Sequence, residues 1–212
     1  MPRFLVIGDI HGNLPALEMV LARERNCDKI ICHGDVVNYG PWSNECVDLL
    51  ESRDALCLAG NHEIAFLEGA YKGPNQLVKM FTEKCLETFQ RRTKIEKYGS
   101  QLTLEEYQIQ HTIGDLYIFE DTPLEFIRGN YIIGHSHQQF LRHIGGQVLV
   151  NTGSIGQNRR IINRSEYLLY DSDTSTVILK NCTHDVDLLI QEMKRQKFPA
   201  MCIEYYLSKG RE

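Results

Sequence analysis

Apolar and polar positions along this chain fall into two rhythms. In the first sixty or so residues, short apolar runs end in glycine and polar residues, and helical spacing follows. "RFLVIGD" leads into "LPALEMVLARER", "KIICHGD" leads into "SNECVDLLES", and "ALCLAGNHE" closes the series. Strand, polar loop and helix, repeated, predict an α/β fold with a largely parallel first sheet. Over about 64–100 the rhythm turns helical. "NQLVKMFTEKCLETFQRR" puts Leu77, Met80, Phe81, Cys85 and Phe89 on one face, which predicts a core-facing helix. "YQIQH" alternates and predicts a strand ending at His111, whereas "LTLEEY" before it fits a strand or a helix.

The second half is rich in strand patterns: "NYIIG", "QFLRHI", "QVLVN", "EYLLYD" and "TVILKN". Gly145-Gly146 and "DSDTS" supply hairpin turns. "DVDLLIQEMKRQ" and "PAMCIEYYLSKG" predict two closing helices. No linker, repeat or low-complexity stretch divides the sequence. The expectation is one domain over 1–212, with the helical segment at about 64–100 beside the active site.

Composition narrows the function classes. The 212 residues carry a net charge of −5, so no overall basic field advertises nucleic acid. Arg91, Arg92, Lys94 and Lys97 form the nearest thing to a basic patch and read as a solvated helix face. The seven cysteines include no Cys-x-x-Cys pair, and several sit inside apolar runs. They predict small buried hydrophobes in a reducing compartment, not a disulfide frame or thiolate site. The run "FLVIG" is too short for a signal peptide or a membrane span, so a cytoplasmic protein without a membrane partner is expected.

The chemistry enters with "IIGHSH", an apolar strand that ends by presenting His135 and His137 around a serine. Two imidazoles there make sense as metal ligands if other donors converge on them. Such donors follow the other strands: Asp9 and His11, Asp35, Asn61-His62-Glu63, and His111. These are hard oxygen and borderline nitrogen donors without sulfur, suited to manganese, iron, nickel or zinc. They are too many for one tetrahedral ion and about right for two ions sharing a carboxylate. His33 reads as packing behind the ligands, and His143 and His184 as surface or turn residues.

The order D-x-H, G-D, G-N-H-E, H, G-H-x-H resembles the calcineurin-like metallophosphoesterase superfamily. "GDVVNYGPWSNECVDLL" and "VLVNTGSIGQNRR" are similar to its compact bacterial and archaeal phosphodiesterase branch, which reads "GD-x-V-x-Y-G-P" and "N-P-G-S-x-G-x-x-R". The resemblance spans nearly the whole chain and is weakest over about 64–130. It implies a four-layer α-β-β-α sandwich of two mixed sheets flanked by helices. It also implies two divalent ions, manganese before iron, nickel or zinc. One would be held by Asp9, His11, Asp35 and His137, the other by Asp35, Asn61, His111 and His135. Each oxygen of Asp35 would then bind one ion. A hydroxide shared by the ions would attack phosphorus, with His62 as general acid and Glu63 supporting the loop. Arg159 would steady a phosphate of a small ester or nucleotide substrate, a diester or also a monoester.

Four positions depart from the pattern. Thr112 follows His111 where the family has glycine, and Thr152 replaces a proline, a change expected to alter loop stiffness more than chemistry. Asn38 and Tyr39 stand where the related protein phosphatases carry aspartate and arginine. Those phosphatases also lack the closing G-H-x-H pair. Both differences speak against the alternative readings, a protein Ser/Thr phosphatase or a dinucleotide polyphosphate hydrolase. A non-catalytic scaffold of the same fold should have lost His62 or several ligands, and this chain keeps them.

Overall fold

The computed structural model describes residues 2–124 and 127–212. Its first half is β1 (Arg3–Ile7), α1 (Leu14–Arg23), β2 (Lys29–Cys32), α2 (Ser43–Ser52), β3 (Leu56–Cys57) and α3 (Asn61–Glu68). β1, β2 and β3 pair in parallel, as the repeated pattern predicts. α1 starts where Asn13 accepts a hydrogen bond from the Ala16 N–H, with Pro15 in the first turn. β3 is shorter than the run "ALCLA". The chain leaves the sheet after Leu58, whose N–H still donates to the Cys32 carbonyl at 2.8 Å, and carries Gly60 and Asn61 toward the neighbouring loops.

α4 (Gln76–Leu86) and α5 (Arg92–Ile95) follow. Phe81 and Cys85 are buried as expected, but Leu77 and Met80 are only half-buried, and Val78 and Thr82 fill the core side. Phe89 lies beyond the helix and packs edge-on against Phe66, ring centroids 4.9 Å apart. The basic cluster is not simply solvated. Arg91 and Lys94 reach Asp48, Lys94 also reaches Glu51, and Arg92 donates to the Leu67 carbonyl, so the cluster straps α5 to α2 and α3.

The strand-rich half contains β4 (Gln101–Leu104), β5 (Tyr107–Gln110), β6 (Asn130–Ile133), β7 (Phe140–Ile144), β8 (Gln147–Asn151), β9 (Arg164–Asp171) and β10 (Thr176–Thr183). α6 (Val186–Arg195) and α7 (Ala200–Leu207) close the chain. "LTLEEY" resolves as strand β4 and a tight turn. Gly145 and Gly146, with φ of 57° and 84°, make the β7–β8 hairpin turn that needs positive φ at both positions.

The architecture is the expected sandwich of two mixed five-stranded sheets, ordered β10-β9-β1-β2-β3 and β4-β5-β6-β8-β7, with helices packed outside. Phe4 and Val6 of β1 meet Ile109, Ile132 and Val150 between the sheets, while Leu5 and Ile7 face the helices. Burial on both faces explains why β1 reads as a continuous apolar run. All seven cysteines are free. Among the described residues, no helix is long and apolar enough to cross a membrane.

His143 is exposed on β7 as expected. His184 is not a surface residue. It is buried, 3.2 Å from the Asn13 amide and 2.9 Å from the Ser165 hydroxyl, and it ties the start of α1 to β9.

Candidate metal centre

Each proposed ligand follows the carboxyl end of a strand: Asp9 and His11 after β1, Asp35 after β2, Asn61 after β3, His111 after β5, and His135 and His137 after β6. Ligands of open α/β sheets gather at such ends because the loops there converge. Backbone geometry marks the same residues. Asp9, His11, Asp35, His135 and His137 all have positive φ, between 49° and 66°. Side-chain-bearing residues adopt that region at a cost of about 1–3 kcal/mol each, and such strain collects where function fixes the backbone.

The first two loops are stitched together by Ile10 N–H and His11 N–H, which both donate to the Asp35 carbonyl at 2.8 and 3.0 Å. Glu63 holds the next pair. Its buried carboxylate accepts from Asp35 N–H, Val36 N–H and Gly60 N–H, each at 2.8 Å, and from Val37 N–H at 3.2 Å. Burial and the neighbouring Asp35 raise the Glu63 pKa, and the hydrogen bonds from Gly60, Asp35 and Val37 N–H oppose that rise. The expected supporting role of Glu63 therefore has a definite form: one carboxylate aligns the loops that carry Asp35 and Asn61. Gly60 is required here, because a Cβ at that position would lie 2.2 Å from Asp35 Oδ1.

Donor atoms converge in two overlapping groups. Asp9, His11, Asp35 and His137 place one ligand atom each within 4.8 Å of one another, and so do Asp35, His111 and His135. Asn61 joins the second group, its Oδ1 3.1 Å from His111 Nε2. Asp35 is common to both, and one of its oxygens is the nearer to each group. Oδ1 accepts the His62 backbone N–H at 2.9 Å, while Oδ2 faces His11 at 3.9 Å and His111 at 3.2 Å. A single oxygen is therefore positioned between the groups.

The tautomers test whether cations fit. His11 Nδ1 lies 3.3 Å from the Val37 carbonyl and His137 Nδ1 lies 2.7 Å from the Gln157 carbonyl. A carbonyl only accepts, so each Nδ1 carries the proton and each Nε2 a lone pair. Those two Nε2 atoms nevertheless point at each other across 3.1 Å, with Asp9 Oδ1 3.1 Å from His137 and without a hydrogen-bond partner. Converging lone pairs repel unless a cation lies among them, so the donor set fits a metal ion. Burial raises the Asp9 and Asp35 pKa values, but facing imidazoles outweigh it and hold both carboxyls well below the usual range. Burial would lower His111, but Asp35 beside it brings it up to about 9. A field that retains a proton there would also retain a metal ion.

His33 forms a third close grouping with Asp9 and His111. Its Nε2 is taken by the Thr152 hydroxyl at 2.7 Å, which fits packing behind the ligands. Thr152 therefore does more than alter loop stiffness: it bonds His33 and donates its own N–H to Ile133, and proline could do neither.

His62 stands beside the centre, Nε2 3.9 Å from Asp35 Oδ2. Asn38 occupies the orienting position behind it. Asn38 Oδ1 accepts from Tyr39 N–H at 2.8 Å, and Nδ2 contacts Thr82 Oγ1 at 3.0 Å and His62 Nδ1 at 2.8 Å. The amide orientation follows from its partners. Tyr39 N–H can only donate, and the Thr82 hydroxyl spends its proton on the Val78 carbonyl at 2.9 Å. Nδ2 must therefore donate to His62 Nδ1, which leaves the proton of a neutral His62 on Nε2, facing the centre. Burial lowers the His62 pKa to about 3, in keeping with a neutral ring. Tyr39 fills the place of the phosphatase arginine with a ring 4.8 Å from His11 and 5.2 Å from His62.

Arg159 flanks the centre in a cleft of about 610 Å³ that includes His137, Arg160 and Glu166, and its guanidinium lies 5.3 Å from the Tyr117 ring. Tyr117 in turn packs on His135, centroids 4.0 Å apart. Sequence reasoning did not find Thr82 or Tyr117, because each reaches the site from a segment that carries no motif.

Comparison with known proteins bears on the family and the fold. The family model described as calcineurin-like phosphoesterase matches residues 2–185. An uncharacterized protein of Methanocaldococcus jannaschii is 27% identical over 92% of this chain and 93% of its own length. A metallophosphoesterase from Sphaerobacter thermophilus superposes with a TM-score of 0.79 at 21% identity, covering 98% of both chains. A hypothetical protein from Pyrococcus horikoshii gives 0.85 at 16% identity over the full length of both.

Proposed function

The chain belongs to the calcineurin-like phosphoesterase family, and from that premise we propose that it hydrolyses phosphodiesters at a centre of two divalent ions. The observation that carries this reading is the pair of donor groups sharing Asp35 Oδ2. Asp9, His11, Asp35 and His137 would hold one ion, and Asp35, Asn61, His111 and His135 the other. By resemblance to the family manganese is placed first among the metals, before iron, nickel and zinc, all of which this oxygen and nitrogen set can bind. Two such ions, when bound, polarise phosphoryl oxygens and supply a nucleophile from water near neutral pH.

The protein's own residues then divide the remaining work. Asp9 and Asp35 stay ionised and offset the charge of the ions. Glu63 keeps the loops of Asp35 and Asn61 in register. His62 directs Nε2–H at the departing oxygen and gives up that proton as the P–O bond breaks; the imidazolate left behind is held by the Asn38 Nδ2–H at Nδ1 and regains its proton from water. Arg159, which has no carboxylate partner among the described residues, draws the substrate phosphate toward His137. The neutral Asn38 and Tyr39 withhold the charged pair that the protein phosphatases use, which favours diesters over phosphoprotein substrates.

The test is reconstitution with each divalent ion in turn, followed by a screen of aryl diesters, aryl monoesters, cyclic nucleotides, dinucleotides and a phosphopeptide. Metal-dependent turnover of diesters above monoesters and phosphopeptide is expected. Turnover of phosphopeptide alone would replace this reading with the phosphatase one.

A further inference from the structure

The candidate centre opens on two sides with different chemistry. Arg159, Arg160 and Arg164 line the cleft beside His137. The other cleft, about 490 Å³, shares Asn61, His111 and His135 with the centre and has no lysine or arginine in its walls. Its volume lies within the roughly 300–1,000 Å³ of small-molecule sites. Tyr71, Ile64 and Tyr117 line it, and the last two are 52% and 50% exposed, large apolar groups left in water. Its one carboxylate, Asp115, repels anions. The cleft therefore suits a neutral, flat group attached to the phosphate, not a second phosphate.

Two carboxamides refine that choice. Gln101 and Gln110 are direct partners across the antiparallel β4–β5 pair, and both line the cleft. Opposed residues of a strand pair project from the same face of the sheet. Gln110 Nε2 donates to the Thr112 carbonyl at 2.9 Å, which leaves its Oε1 free to accept. The Gln101 side chain makes no hydrogen bond among the described residues, and its amide offers both donor and acceptor. Carboxamides match the mixed donor–acceptor edge of a nucleobase, while the apolar walls match its faces.

We propose that this cleft is a nucleobase subsite and that the substrates are nucleoside phosphodiesters, with the base held between Ile64 and Tyr71, Tyr117 closing the side toward His135, on which its ring already packs, and the base edge read by Gln101 and Gln110. This rests on the phosphodiesterase reading of the centre. A phosphate seated against His111 and His135 has its ester group at the cleft mouth, since the cleft and the centre share those side chains.

The test holds the leaving group constant. Metal-reconstituted protein is given the p-nitrophenyl diesters of adenosine 5′-phosphate, phenyl phosphate and methyl phosphate, so one nitrophenolate departs throughout. Binding of free adenosine is measured by calorimetry in parallel. Base stacking predicts kcat/KM for the adenosine diester at least about tenfold above the methyl one. Replacing both glutamines (Gln101→Leu with Gln110→Leu) should bring the adenosine diester down to the phenyl level, with metal content unchanged. Equal kcat/KM for the adenosine and methyl diesters would overturn the subsite and leave the phosphodiesterase reading standing. Equal values for adenosine and phenyl, both above methyl, would make it an aryl cleft and overturn the nucleobase claim. Should no diester turn over with metal bound, the phosphodiesterase reading falls. Calorimetry then decides the cleft: adenosine binding that is lost in the glutamine variant supports a base site, and no binding overturns it.

Discussion

Asn38→Asp isolates the effect of the group behind His62. In the native chain an amide N–H points at Nδ1 across 2.8 Å, and an incoming proton there would meet a donor with nothing to accept it. Aspartate can keep the Tyr39 N–H bond on one oxygen and turn the other toward Nδ1. A carboxylate about 4 Å from the imidazolium, at an effective dielectric constant near 20, is worth about 4 kcal/mol, or about three pKa units. That would raise His62 from about 3 to about 6. Because the variant's pKa is raised, the imidazolium is present below about pH 6 and lost above it. Ester hydrolysis should therefore gain a component that declines as pH rises through about 6. The gain depends on the leaving oxygen: an alkoxide needs the proton, and a nitrophenolate leaves without one. With general acid catalysis contributing about 10²–10⁴-fold, the variant should hydrolyse a methyl or nucleoside ester at least about tenfold faster near pH 5.5. The nitrophenyl rate should hardly move. The assay is the pH profile of both substrates, with metal content measured on the same samples. Equal changes on both substrates, or an alkyl-ester profile identical to that of the parent, would refute the reasoning about Asn38 and the His62 proton.

The remaining predictions follow from other parts of the centre. His62→Ala should cost about a hundredfold or more on alkyl esters and little on nitrophenyl esters, with metal retained. Equal losses on both would mean that His62 positions the phosphate and donates no proton. His111→Ala should weaken the ion held with Asn61 and His135 while the Asp9, His11 and His137 ion stays, so excess metal should partly restore activity. Metal binding identical to the parent at limiting metal would make His111 structural. Glu63→Gln turns one of two accepting oxygens into a donor facing backbone N–H groups, a buried mismatch of about 1–3 kcal/mol. Chemical denaturation should register that loss together with weaker metal retention, and an unchanged midpoint and metal content would deny Glu63 its aligning role.

Much of the site is legible in the sequence because its backbone demands are local. A short apolar strand, then glycine, then a ligand, repeats at Gly8-Asp9, Gly34-Asp35 and Gly134-His135; parallel pairing of β1 with β2 brings the first two ends together, and packing of the second sheet on the first brings the third to them. Helix α4 shows where periodicity falls short. The pattern places Leu77 and Met80 inward, but the buried side is Val78, Phe81, Thr82 and Cys85, because Thr82 satisfies its hydroxyl on the Val78 carbonyl and on Asn38. A polar residue buried for a distant partner leaves no apolar signature. His184 reads as a surface or turn residue for the same reason: Asn13 and Ser165, its partners, are 171 and 19 residues away in the chain. The role of each Asp35 oxygen was also beyond the sequence, since it depends on where the His62 backbone N–H lands.

The most direct test of the two-ion centre is elemental analysis of the reconstituted protein beside Asp35→Asn. The native chain should retain two divalent ions. The variant keeps the size and shape of the side chain but loses the charge that faces both donor groups. It should retain one ion or fewer, with almost no turnover. Two tightly bound ions in Asp35→Asn, or one ion at most in the fully active native protein, would contradict the shared-carboxylate centre.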